Sequence, residues 1–238
     1  MGIYDQADFA IRFGWGEEAV TSLAPISDVT VIVDVLSFST SVDIATSQGA
    51  IVYPCVWRDA ELDVFAESVD AEVADTRNPR GYSLSPSTLE SLPPAYRMVL
   101  PSLNGSHLTM CAKAHSTVIA GCLRNATAVS RKAAGVGTKI AIIACGERWK
   151  ESLTLRPALE DLIGAGAIVS GLRGARSPEA DAAVAAFESA SCDLEKALRQ
   201  CASGREKLAH DKSRDVELAA QLDVSRNAPT LTDNAFRI

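Results

Sequence analysis

The chain has 238 residues, of which 47% are hydrophobic and 22% charged, and its formal net charge is −7. These values are typical of a globular protein with a substantial core, and the acidic balance argues against a non-specific nucleic-acid-binding protein, which needs a basic face. No apolar run reaches the roughly 18 residues of a membrane span, and the N-terminal residues do not resemble a secretion signal. We therefore expect a cytoplasmic protein that binds neither nucleic acid nor membranes.

The first predicted unit is a strand, a polar loop and a helix. The strand VTVIVDVL covers 29–36, the loop SFSTS covers 37–41, and the helix VDIATSQG covers 42–49. A short strand at 51–56 and an acidic helix at 59–69 follow, and then a long irregular segment at 75–94. Loops of that length inside a compact domain are usually functional or disordered.

The same order of strand, loop and helix occurs three more times. Each strand is followed by a loop that contains small and polar residues: LNGS, CLRN and GERWKESLTLRP. The strands cover 97–102, 116–121 and 138–145, and the helices that follow them cover 107–114, 126–135 and 158–172.

The last third of the chain is predicted to be helical. Ser177 and Pro178 form a good helix start, and small or apolar residues then recur at spacings of three and four from 180 to 201. This stripe fits core packing and equally a homodimer surface. A further helix is predicted at 213–222.

This pattern predicts an α/β fold with three layers, in which helices flank a largely parallel or mixed central sheet. The strands are nearly continuous apolar runs, which indicates burial on both faces. We expect a single domain over residues 1–238, with two merged subdomains and a boundary near 95–100 as the alternative. In such sheets the loops after the carboxyl ends of the strands meet at one edge, where ligands bind.

The residues of these loops suit a small anionic substrate. Hydroxyl groups and free backbone N–H groups lie at predicted helix N-termini, where the helix dipole favours a phosphate. Arginines nearby can donate two hydrogen bonds to a phosphoryl oxygen. The candidates for phosphate binding are the loop residues Ser37, Ser39, Thr40, Asn104, Gly105 and Ser106 and the arginines Arg77, Arg80, Arg124 and Arg148.

The candidate acids are Asp34, Glu147, Glu160 and Asp161. An aspartate inside a buried strand is costly unless it is paired, hydrogen-bonded or bound to a metal, so Asp34 is the best candidate for metal binding or acid–base catalysis. A phosphate ligand would bring Mg²⁺, which prefers one or two carboxylates together with substrate oxygens and water. Glu160 and Asp161 are adjacent in a predicted helix, so we expect at most one of them to face the site.

Two known phosphatase motifs and a zinc site are not predicted. A cysteine phosphatase needs Arg six positions after its nucleophilic cysteine, but the residue six positions after Cys145 is Glu151. The aspartyl-phosphate phosphatases need a second Asp two positions after the first, but the residue two positions after Asp34 is Leu36. Cys145 itself stays a candidate nucleophile or substrate contact. The six cysteines form no CxxC pair and the three histidines are scattered, which argues against zinc.

The ordered set VIVDVL, LPSLNGS, AGCLRNATAV, IIACGERW and ALEDLIGAGAI resembles the 2-phosphosulfolactate phosphatases, from about residue 29 to the end of the chain. That resemblance implies an α/β fold particular to the family, Mg²⁺ as cofactor, and hydrolysis of 2-phosphosulfolactate to sulfolactate and phosphate, a step of coenzyme M biosynthesis. The site residues that it implies are Asp34, Asn104, Gly105, Asn125, Cys145, Gly146, Glu160 and Asp161, with Asp34 and Asp161 as metal ligands and Asp34, Cys145 and Glu160 as catalytic residues.

The sequence departs from the family's pattern at several positions. Ser37 stands where the family typically has Arg, and Thr76 and Ser83 stand where it has acids. These departures leave two alternatives beside the family's activity. One is a catalytically reduced homologue that binds an anionic metabolite, and the other is a phosphatase of another small phosphorylated acid.

Overall fold

A computed structural model describes residues 2, 4–56, 59–75, 78 and 80–238 of the chain. The strands are β1 (Ile11–Trp15), β2 (Val29–Val33), β3 (Ile51–Cys55), β4 (Glu72–Val73), β5 (Arg97–Pro101), β6 (Thr117–Gly121), β7 (Ile140–Ala144), β8 (Glu147–Arg148), β9 (Leu155–Arg156), β10 (Thr230–Thr232) and β11 (Ala235–Arg237). The helices are α1 (Gly16–Leu23), α2 (Phe38–Ser47), α3 (Asp59–Ser68), α4 (Gly105–Ala112), α5 (Ala126–Val136), α6 (Leu159–Ser170), α7 (Pro178–Ala190), α8 (Leu194–Gln200), α9 (Ala202–Ala209) and α10 (Ser213–Ala219).

Nine of the described strands form one mixed sheet, in the order β1-β7-β2-β6-β10-β11-β3-β5-β4. The pairs β1–β7, β7–β2, β2–β6, β3–β5 and β5–β4 are parallel, whereas the C-terminal hairpin of β10 and β11 is antiparallel. The predicted α/β fold with a largely parallel or mixed sheet is therefore confirmed. Among the described residues, no helix is both long enough and apolar enough to cross a membrane.

The central strands β2 and β7 are completely buried because both faces of the sheet are covered. Alternate side chains of β2 point to opposite sides: Val31 packs in one apolar cluster and Ile32 in the other. The first cluster contains buried residues of α5, α6 and α7, and the second contains buried residues of α1, α2 and α4. Apolar residues on both faces of one strand thus produce the predicted three layers.

The structure differs from the sequence prediction in several elements. Strand β1 and helix α1 precede the first predicted unit and were not predicted. The apolar pattern of β1 is hard to recognise because it contains Arg12, a charged residue that is only 1% exposed. Helix α2 begins at Phe38, so most of the SFSTS loop is its first turn. The stripe at 180–201 is divided between α7 and α8, since the Asp193 side chain accepts a hydrogen bond from the Lys196 amide and starts a new helix.

Helix α7 packs closely on α6 because Gly166 has no side chain. A Cβ atom there would lie 2.0 Å from the carbonyl oxygen of Ala183. We expect Gly166→Ala to force the helices apart and to lower the free energy of unfolding by about 1–3 kcal/mol. Gly135→Ala in α5 is the matched control, because nothing lies within 4 Å of the added atom; it should leave stability unchanged or raise it by up to about 1 kcal/mol. Urea unfolding of both variants would measure this, and equal stabilities would contradict the packing argument.

Candidate active site

The acid inside the first predicted strand lies where two helices begin. Asp34 directly follows β2, and its Oδ1 accepts a hydrogen bond from the Phe38 amide at 3.0 Å at the start of α2. Its Oδ2 accepts one from the Gly105 amide at 3.2 Å at the start of α4. Burial nevertheless raises the pKa of Asp34 to about 6, because desolvation outweighs these two hydrogen bonds and the nearby charge of Lys207.

Asp161 holds the loops of the site together. Its Oδ1 accepts a hydrogen bond from the Val35 amide at 2.7 Å, and its Oδ2 accepts one from the Gly146 amide at 2.8 Å. Asp161 therefore links the loop after β2 to the loop after β7. Burial, with Asp34 and Glu160 close by, raises its pKa well above the ordinary value.

Glu160 is the neighbouring acid on α6, and it is only 1% exposed. Its Oε2 is buried without a hydrogen-bond partner among the described residues. A buried carboxylate oxygen without a partner is costly unless a ligand or cation satisfies it. Neither Glu160 nor Asp161 lines the pocket described below.

Glu147 supplies a second acid to the pocket from the start of β8, three residues after the end of β7. Its Oε2 accepts a hydrogen bond from Nδ2 of Asn104 at 3.0 Å. Burial and the charges of Asp34 and Glu160 raise the pKa of Glu147 to about 7. Two carboxyls with pKa values near neutrality thus face one cavity, and such groups are suited to acid–base chemistry.

The cavity in front of these acids has a volume of about 670 Å³. Its other wall comes from α9 and the turn after it, where Lys207 is half-buried and Lys212 is exposed. Burial lowers the pKa of Lys207, although Asp215, Asp34 and Glu147 act against that shift. The lining residues are Asp34, Leu36, Ser37, Leu84, Pro101, Ser102, Leu103, Asn104, Glu147, Ser203, Glu206, Lys207, His210 and Lys212.

Of the predicted hydroxyl groups, only Ser37 lines the cavity, and its buried Oγ has no partner among the described residues. The hydroxyls of Ser39 and Thr40 donate to the carbonyl oxygens of Ile32 and Val35, and that of Ser106 donates to Leu100. Ser39, Thr40 and Ser106 therefore fix the backbone around the site, and their hydroxyls point away from any ligand.

The predicted arginines lie elsewhere. Arg124 forms an ion pair of 2.9 Å with Asp43, which is fully buried, so this guanidinium neutralises an internal charge. Arg80 pairs with Glu72 at 3.7 Å. Arg148 donates to the carbonyl oxygen of Leu153 and lines a neighbouring, smaller cavity. None of these three lines the 670 Å³ cavity, and Arg77 lies outside the described residues.

The remaining predicted residues are Asn125 and Cys145. Asn125 is completely buried and bonds to the backbone of Cys122 and Ala120, so it shapes the turn after β6. Cys145 is buried beside the acids, and desolvation with the charges of Asp34, Asp161 and Glu147 raises its pKa well above the ordinary value. The thiolate needed for nucleophilic attack is therefore disfavoured at this position.

Sequence reasoning missed Lys207, and it named Glu147 among the candidate acids without giving it a specific role. A signal for Glu147 was present, because it lies in the segment that follows the buried strand β7. Lys207 carries no comparable local signal, since it lies in a short helix whose position depends on tertiary packing. Its helix is joined to the β8–β9 hairpin by a hydrogen bond of 3.1 Å from Arg156 to Ser203 and by the Lys150–Glu206 ion pair of 3.1 Å.

The raised pKa values predict that the metal-free protein loses stability as the pH rises. In the unfolded chain the carboxyls of Asp34 and Glu147 ionise near their ordinary values of 3.8 and 4.5, but in the folded protein they ionise only at about 6 and about 7. The folded state thus binds more protons between these values, so the free energy of unfolding should fall over that window, by roughly 1 kcal/mol per pH unit for each group. Urea unfolding in EDTA from about pH 5 to about pH 8 tests this, and Asp34→Asn should flatten the slope. A stability that rises over the window would contradict the prediction.

The acids of the site suit a hard divalent cation. Carboxylate oxygens are the preferred ligands of Mg²⁺, and Glu160 offers a buried oxygen that lacks a partner. The charge of Asp34 helps to raise the pKa of Glu147, and a bound cation would relieve that repulsion. Among the described residues these acids do not form a cluster of three ligand atoms within 4.8 Å. An ion held by one or two carboxylates together with water and substrate oxygens does not need such a cluster.

Comparison with known proteins gives one family. A family model described as 2-phosphosulpholactate phosphatase matches residues 17–234, which include every residue that lines the 670 Å³ cavity. A search of curated proteins gave no match.

Proposed function

Since the chain belongs to the 2-phosphosulpholactate phosphatase family and is a phosphoric monoester hydrolase, we propose that its substrate is 2-phosphosulfolactate and that hydrolysis takes place in the Asp34 cavity. The observation that carries this proposal is that two acids and a cation line one cavity. Asp34, Glu147 and Lys207 are all among its lining residues.

The substrate is a small molecule that carries a phosphate, a sulfonate and a carboxylate group. Lys207 and Lys212 offer two cationic groups on the same side of the cavity. The N-termini of α2 and α4 converge at Asp34, where their dipoles favour a bound anion. Ser37 adds a hydroxyl that is free to donate to a ligand oxygen. These groups provide separate contacts for the phosphate and the sulfonate.

We propose Mg²⁺ as the cofactor, with Asp34 as its principal ligand and Glu160, which has a buried oxygen without a partner among the described residues, as the second carboxylate. When bound, the ion would neutralise negative charge on the phosphoryl oxygens. Asp161 would position the site, because it does not line the cavity and its two oxygens join two loops through backbone hydrogen bonds.

Hydrolysis forms a bond from phosphorus to a water oxygen and breaks the bond from phosphorus to the lactate oxygen. The water loses a proton and the departing oxygen gains one, so a group that exchanges protons near neutral pH is needed. Glu147 fits this role, since burial and its acidic neighbours raise its pKa to about 7. Asn104 fixes its carboxylate by the 3.0 Å hydrogen bond.

The test is phosphate release from 2-phosphosulfolactate and from a panel of small phosphorylated acids, with Mg²⁺ and with EDTA. The proposal expects Mg²⁺-dependent release and the highest kcat/KM for 2-phosphosulfolactate. A higher kcat/KM for another phosphorylated acid would replace the substrate, and release in EDTA would remove Mg²⁺ from the mechanism.

A binding protein without catalysis is the second candidate, favoured by Ser37, which stands in the cavity where the family typically has Arg. Thermal unfolding with phosphate or sulfate separates the two functions. Stabilisation by the anion without Mg²⁺ and without turnover would favour a binding protein, whereas added stabilisation by Mg²⁺ together with turnover would favour the phosphatase.

A further inference from the structure

A second group of metal-ligating side chains lies between α1 and α4, outside the acids of the active site. It consists of Glu17 near the start of α1 and of His107 and Cys111 on α4. The two residues of α4 are four positions apart, so they lie on the same face of the helix, one turn from each other. Helix α1 packs against α4 and brings the Glu17 carboxylate to that face.

The three ligand atoms converge on a single point. Nε2 of His107 lies 2.9 Å from Oε2 of Glu17 and 3.8 Å from Sγ of Cys111, and all three atoms lie within 4.8 Å of one another. Two ligands of a tetrahedral zinc ion are separated by about 3.3–3.6 Å, given the usual zinc–ligand distances. The cluster therefore needs shifts of less than about 1.5 Å to enclose an ion.

The ion pair of His107 with Glu17 involves two of the three side chains. Nε2 of His107 can donate one proton to Glu17, and the four-residue spacing on α4 brings the Cys111 sulfur to the same nitrogen. Thiolate, imidazole and carboxylate together form a ligand set that zinc favours, whereas Mg²⁺ favours oxygen ligands alone. The chemistry of this cluster is thus distinct from that of the Asp34 cavity.

We propose that Glu17, His107 and Cys111 form a binding site for a thiophilic divalent cation of the zinc class, with the fourth position open to water. The site borders a cavity of about 230 Å³ that Glu17 and His107 line. That cavity also touches Leu103, Asn104 and Glu147, which line the active-site cavity as well. The proposed ion would join α1 to the helix whose first amide, at Gly105, donates to Asp34.

This inference does not depend on the proposed substrate, because it rests on a different set of side chains. The test is a titration of the full chain with Zn²⁺ in excess Mg²⁺, followed by competition with a chromophoric chelator. A parallel titration with Co²⁺ reports the ligands directly, since a cobalt–thiolate bond gives an intense near-ultraviolet band.

The unaltered protein is expected to bind one Zn²⁺ and to show the cobalt–thiolate band. Cys111→Ser should lose the band and weaken Zn²⁺ binding by about 100-fold or more, since changes in the outer shell alone cost up to that much. Cys192→Ser and His115→Ala, at exposed positions outside the cluster, should change neither. His107→Gln serves as the second variant should Cys111→Ser fail to fold.

Two results would overturn the proposal. One is Zn²⁺ affinity in Cys111→Ser or His107→Gln equal to that of the unaltered protein. The other is loss of the cobalt band in Cys192→Ser, which would place the binding thiol at the other cysteine. Phosphatase assays of the same variants in Mg²⁺ keep the two proposals separate, because a failure of zinc binding leaves the Mg²⁺-dependent activity untouched.

Discussion

Asp34→Asn is expected to reduce kcat for phosphate release by about 10³-fold or more, the largest effect of any substitution in the site. The change keeps the size of the side chain and removes the charge that would hold Mg²⁺. It also places an amide group against the Phe38 and Gly105 amides, which both donate to the carboxylate. Activity is measured as phosphate release at saturating Mg²⁺ and substrate.

Some loss of stability accompanies Asp34→Asn, so its effect on catalysis needs a matched control. Glu206→Gln removes another acid that lines the same cavity, but Glu206 is exposed and pairs with Lys150 at the surface. It should retain activity within about tenfold of the unaltered protein. Thermal unfolding establishes that both variants are folded at the assay temperature. If a folded Asp34→Asn protein kept its kcat, Asp34 would have no part in the chemistry.

The fold followed from the sequence because its strongest signals are local. Nearly continuous apolar runs such as 29–33 and 140–144 indicate strands that are buried on both faces of a sheet. The alternation of these strands with helices then predicts that they run parallel. Strand β1 was missed because Arg12 interrupts this local apolar signal. Its guanidinium is accommodated by a hydrogen bond to the Ile26 carbonyl oxygen, a partner that only the tertiary structure reveals.

Part of the site could also be predicted, because the carboxyl ends of β2, β5 and β7 bring Asp34, Asn104 and Glu147 to one cavity. The cations could not be predicted in this way. Arg124 has the same local signal as a phosphate ligand, but the buried charge of Asp43 binds it. The cation of the cavity, Lys207, comes from a helix some 170 residues after Asp34, and its position is set by packing between α9 and the β8–β9 hairpin.

The hydroxyls after β2 show how one motif has two physical roles. Ser39 and Thr40 resemble phosphate ligands in sequence, yet their side chains donate to backbone carbonyl groups and hold the turn into α2. Their contribution is indirect, because that turn aims the Phe38 amide at Asp34. A helix N-terminus near a carboxylate is thus visible in the sequence, but which hydroxyl remains free for a ligand depends on backbone geometry.

Lys207→Met is expected to lower kcat/KM by about 10–100-fold, which corresponds to the loss of one charged hydrogen bond to an anion. Methionine preserves most of the aliphatic stem, so packing in α9 changes little. The substitution should also move the acidic limb of the kcat/KM profile to higher pH. The reason is that the charge of Lys207 lowers the pKa of Asp34, so its removal lets that pKa rise further above its ordinary value.

Two companion variants make the interpretation of Lys207→Met specific. Lys207→Arg retains the charge and should recover part of kcat/KM while leaving the acidic limb in place. Lys212→Met removes a cation from the exposed part of the same wall, where solvent screening limits the loss to less than about tenfold. A structural role for Lys207 would lower the thermal stability and leave the pH profile unmoved. That result would show that Lys207 acts on the fold and not on the substrate or Asp34. Equal losses for Lys207→Met and Lys212→Met would show that net positive charge on the wall matters and that the half-buried position of Lys207 does not.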